Sequence, residues 1–139
     1  MPRPQRNRKV HYPPKMKGFS PFGIVQIEKD SVVLNYDEFE AFRMVEYDHL
    51  SQAEVAEKMD VSRPTLTRIY NHALGKIAKA FVEGRSISIG GGNCRFEKDW
   101  HRCRKCHKLI QNPAKHIRCR GCKSFGVAEL IPLNDSFEN

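Results

Sequence analysis

"QAEVAEKMDVSRPTLTRIYN", residues 52–71, holds two helix-forming runs with a short polar break between them. Ser51 followed three residues later by Glu54 is a capping box, in which a hydroxyl and a carboxylate each take up a backbone N–H that a first helical turn leaves without a partner. Val55, Ala56 and Met59 give that first run an apolar face. "MDVS" then interrupts it, Ser62 caps the next helix, and Pro64 is tolerated in the first turn because no intrahelical N–H is needed there. Downstream, Leu66, Ile69, Ala73, Leu74, Ile77, Phe81 and Val82 recur at steps of three and four as far as Gly84, a natural stop. The spacing predicts one long helix with all seven on its buried side.

Two helices joined by a tight turn, the second of them long, form the pattern of a helix-turn-helix. Ala56 is the small residue expected where the helices cross. Asp60 stands where the turn needs a left-handed backbone, which aspartate tolerates better than most residues. Val61, Leu66 and Ile69 supply the contacts that set the interhelix angle, leaving Ser62, Arg63, Pro64, Thr67, Arg68 and Asn71 facing outward. Arginine grips guanine with two hydrogen bonds, asparagine does the same for adenine, and threonine serves a base or a phosphate. His72, Lys76 and Lys79, further along, are in position to reach the DNA backbone. An ordinary helical hairpin explains the apolar positions equally well. It does not explain why acidic charge stops at Asp60 and the next helix begins basic.

Outward from this stretch the signals weaken. "NYDEFEAFRMVEY", residues 35–47, reads as a helix capped by Asn35 or Asp37, with acidic residues in its first turn where the helix dipole favours them, and Phe39, Phe42 and Val45 on one side. "GIVQIEKDSVVLNY" before it suggests a small hairpin about Lys29, Asp30 and Ser31, and "RSISIGGG" after Gly84 suggests one short strand and a linker. No run of eighteen apolar residues occurs, which argues against a membrane helix, and the basic start has no apolar stretch behind it, so a cytoplasmic protein is expected.

The net charge of +8 is unevenly spread. Lys and Arg outnumber Asp and Glu by 6 to 0 in residues 1–17, by 5 to 1 in 61–85 and by 10 to 2 in 86–123, whereas 18–60 is acidic at 3 to 10. Basic blocks around an acidic middle are the footprint expected of a polyanion binder. Residues 1–18 hold four prolines and no acid, and read as an extended arm whose Arg3, Arg6, Arg8 and Lys9 track a minor groove or phosphates.

Four of the five cysteines form two pairs, Cys103 with Cys106 and Cys119 with Cys122, twelve residues apart. In a reducing compartment such pairs more often hold metal than form disulfides. Two short loops presenting four thiolates suit one tetrahedral zinc ion, and the cations around them offset its charge. "CRKCH" matches a haem attachment pattern but lacks the apolar pocket, and no βαβ pattern surrounds the pairs as a thioredoxin-like site requires. An iron–sulfur cluster remains an alternative, since ligand type alone does not exclude it. Cys94 is read as a spare surface thiol, the alternative being that it substitutes for a ligand, as His101, His107 or His116 could.

Several motifs in fixed order, "MPRP", "SPFG" near residue 20, "LNYDEFEAFRM", "LSQAEVAEKMDVSRPTLTRI" and "AFVEGRSISIGGG", resemble the family catalogued as domain of unknown function 134, also filed as uncharacterised protein family 0251. The resemblance covers roughly residues 1–92. It implies a DNA-binding protein with a helix-turn-helix similar to region four of sigma factors, the reading role falling on Arg63, Thr65, Thr67 and Arg68. Glycine is usual in that family where His49 and Asp60 stand, and a more basic pair where Leu74 and Gly75 stand.

The expectation is therefore a mostly α protein. It comprises a basic arm (1–18), a three-helix helix-turn-helix domain (19–92), a zinc-ribbon-like module (93–127) and an acidic tail (128–139). No nucleophile, base and orienting group fall into a catalytic motif, so no enzymatic activity is expected. Double-stranded DNA is the expected partner. RNA polymerase is the alternative, in an adaptor role, and a homodimer is compatible with either because a single helix-turn-helix reads few base pairs.

Overall fold

The computed structural model describes residues 8–25, 31–92, 94–96, 100–103, 108–111 and 130–133. Of these, 42% are helical and 23% lie in strands, so the chain is mixed α/β and not mostly α. The difference comes from eight strands of two or three residues, too short to show the alternation by which a strand is read.

Two parts of the helical reading hold closely. Helix α2 (Gln52–Lys58) starts at Ser51, whose hydroxyl accepts from the Glu54 N–H at 3.2 Å while Glu54 Oε2 accepts from the Ser51 N–H at 3.2 Å. Helix α3 (Arg63–Glu83) starts at Ser62 and ends at Gly84, whose φ of 66° lies in the left-handed region that glycine adopts without strain. Between them, Val61 N–H donates to Ala56 O (3.0 Å) and Asp60 N–H to Glu57 O (3.2 Å), the paired bonds that close a helix over one left-handed residue. Asp60 is that residue, with φ 57°, and His49 has the same φ. A Cβ in this conformation costs energy that glycine avoids. Asp60→Gly is therefore expected to leave stability unchanged or raise it by up to about 1 kcal/mol, and Asp60→Val to lower it by about 1–2 kcal/mol. Urea denaturation of the three chains checks this.

Helix α1 (Tyr36–Phe42) begins at Asn35, whose N–H donates to Glu38 Oε1 at 2.9 Å, and continues into a π-helical turn, Arg43–Tyr47. Its buried face differs from the expected one. Asp37, Glu38, Glu40 and Ala41 are buried, whereas Phe39, Phe42 and Val45 are only partly so. Helix α3 also departs at its end: Leu66, Ile69, Ala73 and Ala80 are buried, but Phe81 and Val82 face solvent. The buried row of Leu66, Ile69 and Ala73 continues to Ala80, and Phe81 and Val82 follow it by one and two residues, which turns them off that face.

Three small sheets tie the chain together. Strand β1 (Arg8–Val10) pairs in parallel with β5 (Cys94–Phe96), matching Arg8 with Cys94 and Val10 with Phe96. Strand β4 (Ile87–Ile89) lies between β2 (Gly18–Phe19), antiparallel, and β3 (Val32–Leu34), parallel. The anticipated strand 87–89 is thus present, but β3 takes it as partner in place of the expected hairpin, whose turn residues Lys29 and Asp30 lie outside the described residues. Strand β6 (His101–Cys103) lies between β7 (Leu109–Ile110) and β8 (Leu130–Pro132), both antiparallel.

The buried residues form two main cores. Val55, Ala56, Met59, Leu66 and Ile69 join Ala41 and Met44 where α1, α2 and α3 meet. Val10, Leu34, Tyr36, Ala73, Ile89, Cys94, Phe96 and Leu133 form the other. This second core unites residues assigned from sequence to an arm, a helical domain, a cysteine module and a tail, so none of those boundaries divides it. The arm is the clearest correction: Arg8–Val10 within it is a strand with Val10 fully buried. Among the described residues no helix is long and apolar enough to cross a membrane.

Candidate nucleic-acid interface

The start of α3 is held by side chains rather than by packing alone. Ser62 Oγ accepts from the Thr65 N–H at 3.3 Å and donates to Thr65 Oγ1 at 2.8 Å, so Ser62 and Thr65 satisfy each other at the helix start. Thr67 Oγ1 lies 2.7 Å from Gln52 Oε1 and 3.1 Å from Arg63 O, linking α3 to the first turn of α2. Gln52 is a residue the sequence reading passed over. Its position as the first residue of α2 marks it only once the two helices are seen to cross. Tyr70 OH donates to Glu46, which pushes the phenol pKa up and fixes α3 to the π-helical turn.

Arg63, Pro64, Arg68, Asn71 and His72 are exposed. Pro64, Arg68 and Asn71 recur at helical spacing on the side away from Leu66, Ile69 and Ala73. No acidic residue occurs in α3 before Glu83. Two arginine forks, an amide and the positive end of a helix dipole therefore share one exposed half-helix.

The other expected contact residues divide. Arg3 and Arg6 lie outside the described residues. Lys9 is exposed, and its N–H donates to Met59 O at 3.1 Å, three residues before Ser62, so β1 brings a cation beside the turn that starts α3. Arg8 and Lys76 do not join this surface. Arg8 Nη1 pairs with Asp37 Oδ2 at 2.9 Å, and Lys76 Nζ with Glu38 Oε1 at 2.6 Å. The physical reason is the buried acidic face of α1: charges taken out of water need counterions, and Arg8 and Lys76 supply them.

Glu40 belongs to the same face and is its most costly member. Oε1 accepts from the His11 N–H at 3.3 Å and from Arg43 Nη2, while Oε2 is buried without a hydrogen-bond partner among the described residues. Arg43 also reaches Asp48 Oδ2 at 2.6 Å and lies over the Tyr12 ring, 5.4 Å from its centroid. Burial pushes the carboxyl pKa of Glu40 up, outweighing the Arg43 charge, and burial does the same at Asp37 against Arg8. A carboxyl raised in the folded state binds protons more tightly there than in the unfolded chain. Stability contributed by protonation is therefore present at low pH and is lost as pH rises from about 4.3, the unfolded glutamate value, through the raised folded value. Glu40→Gln is expected to flatten this slope, by at most about 1.4 kcal/mol per pH unit. Denaturation midpoints measured across that window check it.

Of the four paired cysteines only Cys103 is described; Cys106, Cys119 and Cys122 lie outside the described residues, as do His107 and His116. Cys103 ends β6 and is buried against Leu130 and Ile110. No group of three potential metal ligands occurs among the described residues. Cys94 is not the surface thiol expected: it is buried in β5, and burial together with the Asp37 charge pushes its pKa up to about 12. Such a thiol is an inert core residue. Arg102, beside Cys103 in β6, is also buried, donating to Pro14 O at 2.8 Å, and loss of water lowers its pKa.

Comparison with known proteins adds the lineage. The chain is 41% identical over 144 residues to a UPF0251 protein of Caldicellulosiruptor saccharolyticus, covering 91% of this chain and 97% of that one. It is 37% identical over 132 residues to one of Chloroherpeton thalassium (94% and 87% covered) and 37% identical over 137 residues to one of Methanothermobacter thermautotrophicus (95% and 71%). No solved structure matches. With the model for "Protein of unknown function DUF134" matching residues 1–97, which hold one core, all of the other but Leu133, and the whole of α3, the chain belongs to the DUF134 family, whose curated relatives carry the name UPF0251.

Proposed function

We propose that this protein is a non-enzymatic, sequence-specific binder of double-stranded DNA, acting in transcriptional regulation, with α2 and α3 as a helix-turn-helix. One observation carries the reading: Arg63, Arg68 and Asn71 are exposed on one half of α3, with no acidic residue on that helix before Glu83. Arginine and asparagine are the side chains that read guanine and adenine edges with paired hydrogen bonds. Thr67, held by Gln52, and the exposed Lys9 add contacts to a base or to phosphate, whereas Arg8, Lys76, Ser62 and Thr65 act by holding the helix in place. Arg3 and Arg6 extend the basic end of the same strand in sequence.

Fluorescence anisotropy of the full chain with random-sequence duplex DNA tests this. Binding that weakens steeply and log-linearly with salt supports it, because each neutralised phosphate releases a counterion. No binding at low salt contradicts it and favours the adaptor reading, in which the same surface meets RNA polymerase.

A zinc ion held by Cys103, Cys106, Cys119 and Cys122 is the second part of the proposal. It is supported by their spacing and by the small apolar cluster of the third sheet, in which Cys103 and Leu130 are the buried members among the described residues. A metal cross-link adds order to short strands that share a small apolar cluster. One zinc per chain in the purified protein supports this; iron with acid-labile sulfide contradicts it in favour of a cluster.

A further inference from the structure

The far end of α3 carries a surface unlike its start. Phe81 and Val82 in the last turn are 86% and 82% exposed, and the segment after β2 exposes Phe22 (98%), Val25 (90%) and, to a lesser degree, Ile24. The two groups share one end of the molecule, since a Cβ on Gly84 would lie 3.1 Å from Ile24 Cδ1. Together with Phe19 of β2, 62% exposed, these side chains expose roughly 700–900 Å² of apolar area, taking ordinary aromatic and aliphatic side-chain areas. Monomeric proteins seldom exceed a patch of about 300–600 Å², and about 800 Å² per partner is what a standard interface needs.

We infer that this end of α3 and the segment 19–25 form a two-fold interface with a second copy of the chain. Two observations favour a copy over another partner. The area matches one half of a stable pair. The rim is of mixed sign: Lys79 and Glu83 lie one turn apart on α3, so two such helices crossing antiparallel bring each Lys79 towards the Glu83 of the partner copy. A rim made for an acidic or a basic partner would carry one sign. The interface lies at the opposite end of a helix of about 30 Å from Arg63, so pairing leaves the reading residues free.

Sedimentation equilibrium of the full chain tests the inference independently of DNA binding. Wild type is expected to be dimeric in the low micromolar range, and Phe81→Glu with Val82→Glu to raise the dimer dissociation constant by at least about 100-fold with an unchanged circular dichroism spectrum. Lys79→Glu and Glu83→Lys are each expected to weaken the dimer, and their combination to restore it. A wild-type chain monomeric at roughly 100 µM overturns the inference. So does a dimer indifferent to all four substitutions, or a monomer that instead binds neutral phosphatidylcholine vesicles. Persistence of the dimer in a chain that ignores DNA would overturn the functional proposal and leave this one standing.

Discussion

Replacing Leu66 with alanine is expected to destabilise the protein by about 2–5 kcal/mol, the largest single effect available in the two-helix unit. Leu66 is fully buried in the second turn of α3, in one core with Val55, Ala56 and Met59 of α2 and its end and with Met44 of the π-helical turn. Its removal loses the transfer energy of the side chain and leaves a cavity. That cavity does not close easily, because α3 is pinned at its start by Ser62 and across to α2 by Thr67 and Gln52. A small domain is stable by only about 5–15 kcal/mol, so the loss is a large fraction of the whole. Urea denaturation measures it directly. A loss below about 1 kcal/mol would mean that the three helices do not pack around this residue as described.

The second large effect concerns function with stability held constant. Arg68 is exposed on α3, and among the described residues its side chain has no ion pair or hydrogen bond. Arg68→Ala is therefore expected to leave the denaturation midpoint within the small range typical of surface substitutions. If the guanidinium reads a base, its loss lowers affinity for a preferred site by about 5- to 150-fold and removes preference at one base position. If it meets only phosphate, affinity falls evenly over all sequences and the salt dependence becomes shallower by about one counterion. Leu66→Ala and Arg68→Ala thus separate folding from recognition on one helix.

What could be read from the sequence was local. The Ser51–Glu54 box, the Ser62 cap, the left-handed Asp60 and the stop at Gly84 each depend on residues within a few positions of one another, and each is present. What could not be read was non-local or contrary to pattern. The partner of Arg8–Val10 lies at Cys94–Phe96, and that of Val32–Leu34 at Ile87–Ile89; strands of three residues carry no period that announces such pairings. The acidic face of α1 misleads for a different reason. Charged residues are ordinarily outside, yet Asp37, Glu38 and Glu40 are buried because Arg8, Lys76 and Arg43 meet them. The same fact removed Arg8 and Lys76 from the candidate interface. Cys94 follows from it too, since the strand that buries this thiol is the one that pairs with the arm.

The central claim is that the exposed half of α3 from Arg63 to Asn71 reads base pairs. Selection of bound duplexes from a random pool by the full-length wild-type chain, repeated with Arg68→Ala, tests it most directly. The account predicts one enriched motif for the wild type, and for the variant the same motif with one base position no longer specified. A pool that stays random with the wild type, or an identical motif recovered with equal affinity by both chains, would contradict it.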